Sequence, residues 1–158
     1  MKDRFGREIS YLRVSVTDRC NLRCRYCVGQ QGVALLPRER ILSFEEIAAV
    51  VEQGARMGVR KVRLTGGEPL VRRNISGLVA AISRIKGVED LAMSTNGSLL
   101  EQHAGELVQA GLVRVNVSLD TIDPERYRYL TGGGEVRRVL AGIAAARAAG
   151  LEPVKLNC

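Results

Sequence analysis

The stretch Leu12-Arg13-Val14-Ser15-Val16-Thr17-Asp18-Arg19-Cys20-Asn21-Leu22-Arg23-Cys24-Arg25-Tyr26-Cys27 runs from an alternating segment straight into three cysteines. Leu12 to Thr17 alternates apolar and polar side chains, the period of a strand with one buried face. The cysteines follow with three and then two residues between them. Thiolates so spaced can wrap one metal centre from a short loop. Iron–sulfur clusters are held by Cys thiolates, usually four. Three would leave one iron of a 4Fe–4S cluster without a protein ligand and open to a small molecule. Structural zinc is the plain alternative, but zinc takes four ligands, usually from paired knuckles. The fourth cysteine, Cys158, is the last residue, and the only histidine, His103, lies in a helical stretch far along the chain. A disulfide across such short gaps is strained, and nothing signals secretion. The spacing favours an open-iron cluster, with zinc or redox thiols as the alternatives.

Outward from this stretch, the 158 residues suit one domain with a sizeable core. At 46% hydrophobic the chain is neither of disordered nor of membrane composition. No apolar run is long enough to span a bilayer. A charged N-terminus without an apolar signal region predicts a cytoplasmic protein, where thiols stay reduced for metal. The net charge of +7 points to solubility or to an anionic ligand. Nucleic acid is disfavoured: there is no helix-turn-helix pattern, and 4% aromatics are too few for a base-stacking platform.

Residues 1–10 read as a polar arm and 28–42 as a loop holding Gly29, Gly32 and Pro37. Ser43 with Glu46 predicts a capping box. Ile47, Val50, Val51 and Ala55 then recur at helical spacing up to Gly58. Val59–Thr65 reads as a strand, broken by Gly66-Gly67-Glu68-Pro69. A helix through Ile75, Leu78, Val79, Ile82 and Ile85 runs to Gly87. Strand Leu91–Thr95, helix Leu100–Ala110 and strand Val113–Leu119 follow. Asp123-Pro124 opens a short helix, and after three glycines another carries Val136, Val139, Leu140 and Ile143. Pro153–Asn157 reads as a fifth strand. The alternation of strand and helix predicts an α/β fold with a parallel sheet. Neither a dinucleotide fingerprint nor a phosphate loop with Gly-Lys-Ser/Thr is present.

Side chains alternate across a strand. One face collects Arg13, Ser15 and Thr17; Lys61, Arg63 and Thr65; Ser94 and Asn96; Arg114, Asn116 and Ser118; and Lys155 with Asn157. The opposite face is apolar. A parallel sheet covered on both sides would be apolar on both, and a closed barrel would fill its interior with branched apolar residues. A partial (β/α) barrel with a wet, basic interior fits instead. Its reactive groups belong at the C-terminal strand ends, where both the cysteines and Gly66-Gly67 fall. Glu68 beside those glycines suits an amino group. The cations Arg13, Lys61, Arg63 and Lys155 suit a polyphosphate, since Arg forks match phosphate oxygens. Ser94 to Gly97 alone is a turn, and Val117 to Asp120 alone a strand end and a cap. Arg72-Arg73 and Arg137-Arg138 read as solvated faces, and His103 as a surface helix residue.

The Cys-x3-Cys-x2-Cys pattern, with an aromatic before its last cysteine, resembles the radical S-adenosylmethionine (SAM) superfamily. The longer run from Phe5-Gly6-Arg7 through Cys24 is similar to one branch of it, the GTP 3′,8-cyclases of molybdenum cofactor biosynthesis. This resemblance implies a 4Fe–4S cluster on Cys20, Cys24 and Cys27 that chelates SAM. It implies SAM contacts at Tyr26, Gly66, Gly67, Glu68, Asn96 and Ser118. It implies GTP contacts at Arg13, Lys61, Arg63, Ser94 and Lys155, with Arg13 also catalytic; Ser94 stands where the family usually has threonine. An electron donor is implied, and neither nucleic acid nor a membrane is an expected partner. The alternatives are a radical SAM enzyme acting on a peptide or tetrapyrrole, and a non-catalytic iron–sulfur or zinc-binding module.

The resemblance covers nearly the whole chain but only the first part of the longer family proteins. Those carry a second, C-terminal three-cysteine cluster that binds GTP, and a Gly-Gly tail. Residues 1–158 are therefore expected to form the N-terminal portion of a radical SAM core that stops in its fifth strand, with the C-terminal cluster domain absent. Such a polypeptide is expected to bind a cluster and cleave SAM slowly without coupling to GTP. Its unpaired apolar edge invites aggregation or pairing with another chain, a homodimer included. Val28-Gly29, in place of the family's Met-Pro, is expected to be tolerated.

Overall fold

The alternation along each strand becomes a two-faced sheet in the computed structural model, which describes residues 2–28, 32 and 34–158. Five parallel strands lie side by side in chain order: β1 (Tyr11–Ser15), β2 (Lys61–Thr65), β3 (Asp90–Thr95), β4 (Arg114–Ser118) and β5 (Val154–Asn157). Crossovers between parallel strands are right-handed. When every step goes the same way along the sheet, all the helices land on one face. A doubly wound sheet would reverse its order and cover both faces. This is the topology of a partial barrel, as expected.

The helices are α1 (Phe44–Arg56), α2 (Ile75–Ser83), α3 (Leu100–Gln109), α4 (Pro124–Thr131) and α5 (Val136–Ala149). The capping box at α1 is complete: the Ser43 hydroxyl accepts from the Glu46 amide at 3.2 Å, and the Glu46 carboxylate accepts from the Ser43 amide at 2.7 Å. Asp123 caps α4 through the Arg126 amide at 2.7 Å. Val62, Leu64, Met93, Val115 and Val117 from the sheet meet Ile47, Leu78, Ile82, Leu107 and Val139 from the helices, all buried. Each such side chain contributes roughly 1.5–3 kcal/mol on burial. Among the described residues no helix is long and apolar enough to cross a membrane.

The polar face forms as expected. Arg13 pairs in register with Arg63, Ser15 with Thr65, Ser94 with Asn116, Asn116 with Lys155, and Ser118 with Asn157. Boundaries differ where backbone groups find other partners. Strand β2 begins at Lys61 rather than Val59, because the Val59 amide closes α1 by donating to Gly54. Helix α2 stops at Ser83, and turns carry the chain to Gly87. Residues 2–10 are less an arm than a small closed turn: Lys2 bridges Glu8, and the Asp3 carboxylate takes the Phe5 and Arg7 amides. Within the expected loop 28–42, Arg38–Arg40 form a short 3-10 turn. Gly29 lies outside the described residues.

Candidate functional site

The cysteine loop is built by being pinned. The Arg23 and Arg25 amides donate to the Thr131 and Leu130 carbonyls at 2.9 Å each, which seats the loop on the end of α4. The Cys27 and Val28 amides both donate to the Cys24 carbonyl, closing a turn, and Leu22 is buried beneath. The Arg25 guanidinium lies 3.9 Å over the Tyr129 ring and bonds its hydroxyl. Cys20, Cys24 and Cys27 are all free thiols lining one cavity of about 280 Å³ at the C-terminal strand ends.

Gly66 and Gly67 form one wall, for a reason the sequence alone did not supply. A Cβ on Gly66 would lie 2.4 Å from the Thr17 carbonyl oxygen, and one on Gly67 2.3 Å from that of Arg19. The Gly67 and Glu68 amides donate to those same carbonyls at 2.7 and 2.8 Å. The glycines let this segment lie flat against the chain leading into Cys20.

Glu68 is 1% exposed and does not line the cavity. One carboxylate oxygen accepts from the Leu70 amide at 3.0 Å and the Thr95 hydroxyl at 2.7 Å; the other accepts from the Asn96 amide at 2.6 Å. Burial pushes its pKa up, and these donors pull the other way. Asn96, so held, reaches the cysteine loop: its side-chain amide donates to Asn21 at 2.9 Å and towards the Cys20 sulfur at 3.8 Å. The Leu22 amide also points at that sulfur, at 3.4 Å.

Tyr26 donates its hydroxyl to Asp120 at 2.7 Å, and that bond drives the phenol pKa well above its ordinary value. Burial raises the Cys24 thiol, while the Tyr26 hydroxyl lowers it in part. Arg13, Ser94 and Ser118 also line the cavity. Lys61, Arg63 and Lys155 do not. Lys61 begins β2, Arg63 lies 5.6 Å from the Tyr11 ring, and Lys155 is exposed beside Asn116. Arg114 is withdrawn from the free cations altogether: Asp90 accepts two bonds from it, at 3.0 and 2.6 Å. Arg72 is no solvated charge either, since it donates to the Val16 and Leu42 carbonyls and lies 4.3 Å over Phe44.

Asn157 from the polar face joins the cavity, which also gathers residues that sequence reasoning assigned no ligand: Asp120, Tyr127 and Thr131. Asp120 was visible as a carboxylate two residues past Ser118, and Tyr127 with Thr131 as a helical i, i+4 pair. Burial holds the Tyr127 phenol up to about 12.

Three soft thiols with N–H donors aimed at one sulfur suit a sulfur-ligated iron centre. Among the described residues no three His, Cys, Asp or Glu side chains close on a single ion. His103 is remote, 3.8 Å from Glu106 on α3.

A sequence model described as the radical SAM superfamily matches residues 14–158. The chain is 51% identical over 158 residues to a GTP 3′,8-cyclase of Pseudomonas savastanoi pv. phaseolicola, covering 100% of this chain and 47% of that protein. It is 54% identical over 157 residues to a GTP 3′,8-cyclase of Pelotomaculum thermopropionicum, covering 99% and 48%. The chain thus spans about half the length of the curated relatives it matches. Among solved structures it is similar in fold to Streptococcus suis SuiB bound to S-adenosylmethionine, with a TM-score of 0.75 and 20% identity, over 94% of this chain and 32% of that one.

Proposed function

The chain belongs to the radical SAM superfamily, and from that premise we propose that it forms the cluster- and SAM-binding part of a cytoplasmic GTP 3′,8-cyclase. The observation that carries this is the single cavity onto which Cys20, Cys24, Cys27, Arg13, Ser94 and Ser118 all open. The three cysteines would hold a 4Fe–4S cluster. When bound, that group supplies one electron that splits SAM, and the resulting radical chemistry closes GTP to (8S)-3′,8-cyclo-7,8-dihydroguanosine 5′-triphosphate in molybdenum cofactor biosynthesis.

The chain's own residues bind and orient. Gly66 and Gly67 offer a flat backbone wall to SAM, Ser118 and Asn96 offer polar contacts, and Tyr26 is held in place by Asp120. Glu68 acts one step back: it fixes the Asn96 backbone rather than facing the ligand. Arg13 and Ser94 face GTP, and Arg63, Lys61 and Lys155 along the same sheet face draw in its triphosphate. Holding reactants in attack geometry is worth up to about 7–11 kcal/mol of barrier, so the assembly around the ribose decides the rate.

The test is anaerobic reconstitution with iron, sulfide and zinc analysis, followed by incubation with SAM and dithionite. The 158-residue polypeptide and a full-length relative are assayed side by side, with and without GTP. The expected result is a cluster and slow SAM cleavage in the short chain, and the cyclised product only from the longer protein. A stable zinc form unable to take up a cluster overturns the cofactor reading. SAM cleavage that answers to a peptide and not to GTP in the full-length relative overturns the substrate reading.

A further inference from the structure

Two N–H groups converge on the Cys20 sulfur from distant parts of the chain. The Leu22 amide, within the cysteine loop itself, lies 3.4 Å away. The Asn96 side-chain amide comes from the end of β3, 76 positions later, and lies 3.8 Å away. An asparagine can present either end of its amide, and its partners decide which. The Ser98 backbone N–H, which can only donate, lies 2.9 Å from Asn96 Oδ1. The Ser98 hydroxyl donates to the same oxygen at 2.6 Å. Nδ2 therefore faces the other way, donating to Asn21 Oδ1 at 2.9 Å and towards Cys20 Sγ. Asn21 closes the ring by donating its own Nδ2 to Ser98 Oγ at 2.9 Å. Both hydrogens and both lone pairs of the Asn96 amide are thus aimed. The Asn96-Gly97-Ser98 sequence makes the ring possible: Gly97 sits at φ 77°, and a Cβ there would lie 2.8 Å from a Val117 methyl. Beneath the ring, the Asn96 backbone amide donates to buried Glu68 at 2.6 Å. A side chain locked on both flanks holds one direction.

We propose that Asn96, oriented by Asn21 and Ser98, is a positioning residue that acts through Cys20 to ease one-electron reduction of the cluster. The proposal rests on the cluster reading above. N–H groups aimed at the thiolate sulfurs of a cluster draw off negative charge. The reduced form carries more of that charge, so such bonds raise the reduction potential. Leu22 gives its bond from the backbone of the loop, which a side-chain replacement leaves in place. Asn96 gives its bond from a side chain, in the wall of the cavity onto which the three cysteines open.

The test reads the midpoint potential of the reconstituted 158-residue chain in the absence of SAM, by optical titration with dithionite and dye mediators. One electron passes from dithionite to the cluster, with no atom exchanged. Asn96→Ala removes the side-chain N–H and should lower the potential. Reduction should become about tenfold less favourable, about 59 mV for one electron. Ser98→Ala keeps that donor and loosens its aim, because Asn96 Oδ1 then retains only the Ser98 backbone N–H. Its shift should have the same sign and be smaller. Ser83→Ala deletes a hydroxyl that bonds the Ala80 and Ala110 carbonyls, away from the cavity, and should match the parent. An unmoved or raised potential in Asn96→Ala or in Ser98→Ala overturns the proposal, and so does an equal fall in Ser83→Ala. A role for Asn96 confined to contacting SAM would leave the SAM-free potential unmoved. Should Asn96→Ala take up no cluster, Ser98→Ala decides by the same criterion, since its hydroxyl bonds Asn21 and Asn96 rather than a thiol. A parent chain that takes up no iron and sulfide is a separate outcome: it overturns the cofactor reading, and this proposal with it.

Discussion

The two ends of the polar sheet face are made of the same alternation and behave differently. At the N-terminal end, part of the charge is settled inside the sheet. Arg114 is gripped by Asp90, Arg63 rests against Tyr11, and the connections are tight: the Arg60 and Lys61 amides both donate to Ser10, and the Glu89 and Asp90 amides to Arg60. At the C-terminal end the strands run out into long loops that fold back on one another. Glu68 ties β2 to β3, Asn96 ties β3 to the cysteine loop, and Tyr26 ties that loop to Asp120. A ligand needs groups that are held and still have bonding capacity to offer. The second end gathers such groups around one cavity.

The sharpest way to break this contrast is Cys24→Ser. It should abolish cluster uptake, read as iron and sulfide per chain, while far-UV circular dichroism stays unchanged. Retention of a full cluster would mean that the loop is not the metal site.

Glu68→Ala should come next. Three internal donors lose their acceptor at a buried position, which costs about 1–3 kcal/mol, read from urea unfolding. The Glu68→Gln variant sharpens the point through pH. Because the folded-state pKa is raised by burial, the stability Glu68 contributes is fully present below the ordinary glutamate value and is lost as pH rises through the folded one. Stability of the parent relative to Glu68→Gln should therefore decline from acid towards neutral pH. A rising difference would show that the three donors outweigh burial.

Asp90→Asn tests the opposite end. It leaves Arg114 half-buried with a weaker partner, and partial exposure of the pair limits the loss to about 1 kcal/mol. Cluster uptake should be untouched. A variant that unfolds no more easily but loads less iron would join the two ends that are separated here. The smallest effect belongs to Tyr129→Leu, which removes the ring beneath Arg25. About 0.5–1 kcal/mol should go, together with faster amide exchange in residues 23–28.

Much of this arrangement was legible in the chain. Hydrophobic period together with cap and breaker residues located five strands and five helices, and strand parity separated Arg13, Ser94 and Ser118 from the core face. The cysteine spacing points to one loop, and its three thiols do open onto one cavity. What stayed hidden were pairings between residues far apart. Tyr26 and Asp120 are 94 positions apart, Glu68 and Thr95 are 27 apart, and Arg114 and Asp90 are 24 apart. Periodicity carries the direction of a side chain and not the identity of its partner.

The sequence by itself determined the order of elements, the polar and apolar sides of the sheet, and the end at which thiols and glycines collect. Those follow from backbone geometry, which repeats locally every two or 3.6 residues. Only the tertiary structure decided that Glu68 is an internal brace, that Arg114 is already neutralised, and that Gly66 and Gly67 make room for the chain entering Cys20. The first and last depend on which loops meet above the sheet and the second on the register of β3 against β4, and burial turns a side chain's hydrogen bonds from optional to obligatory once water is gone.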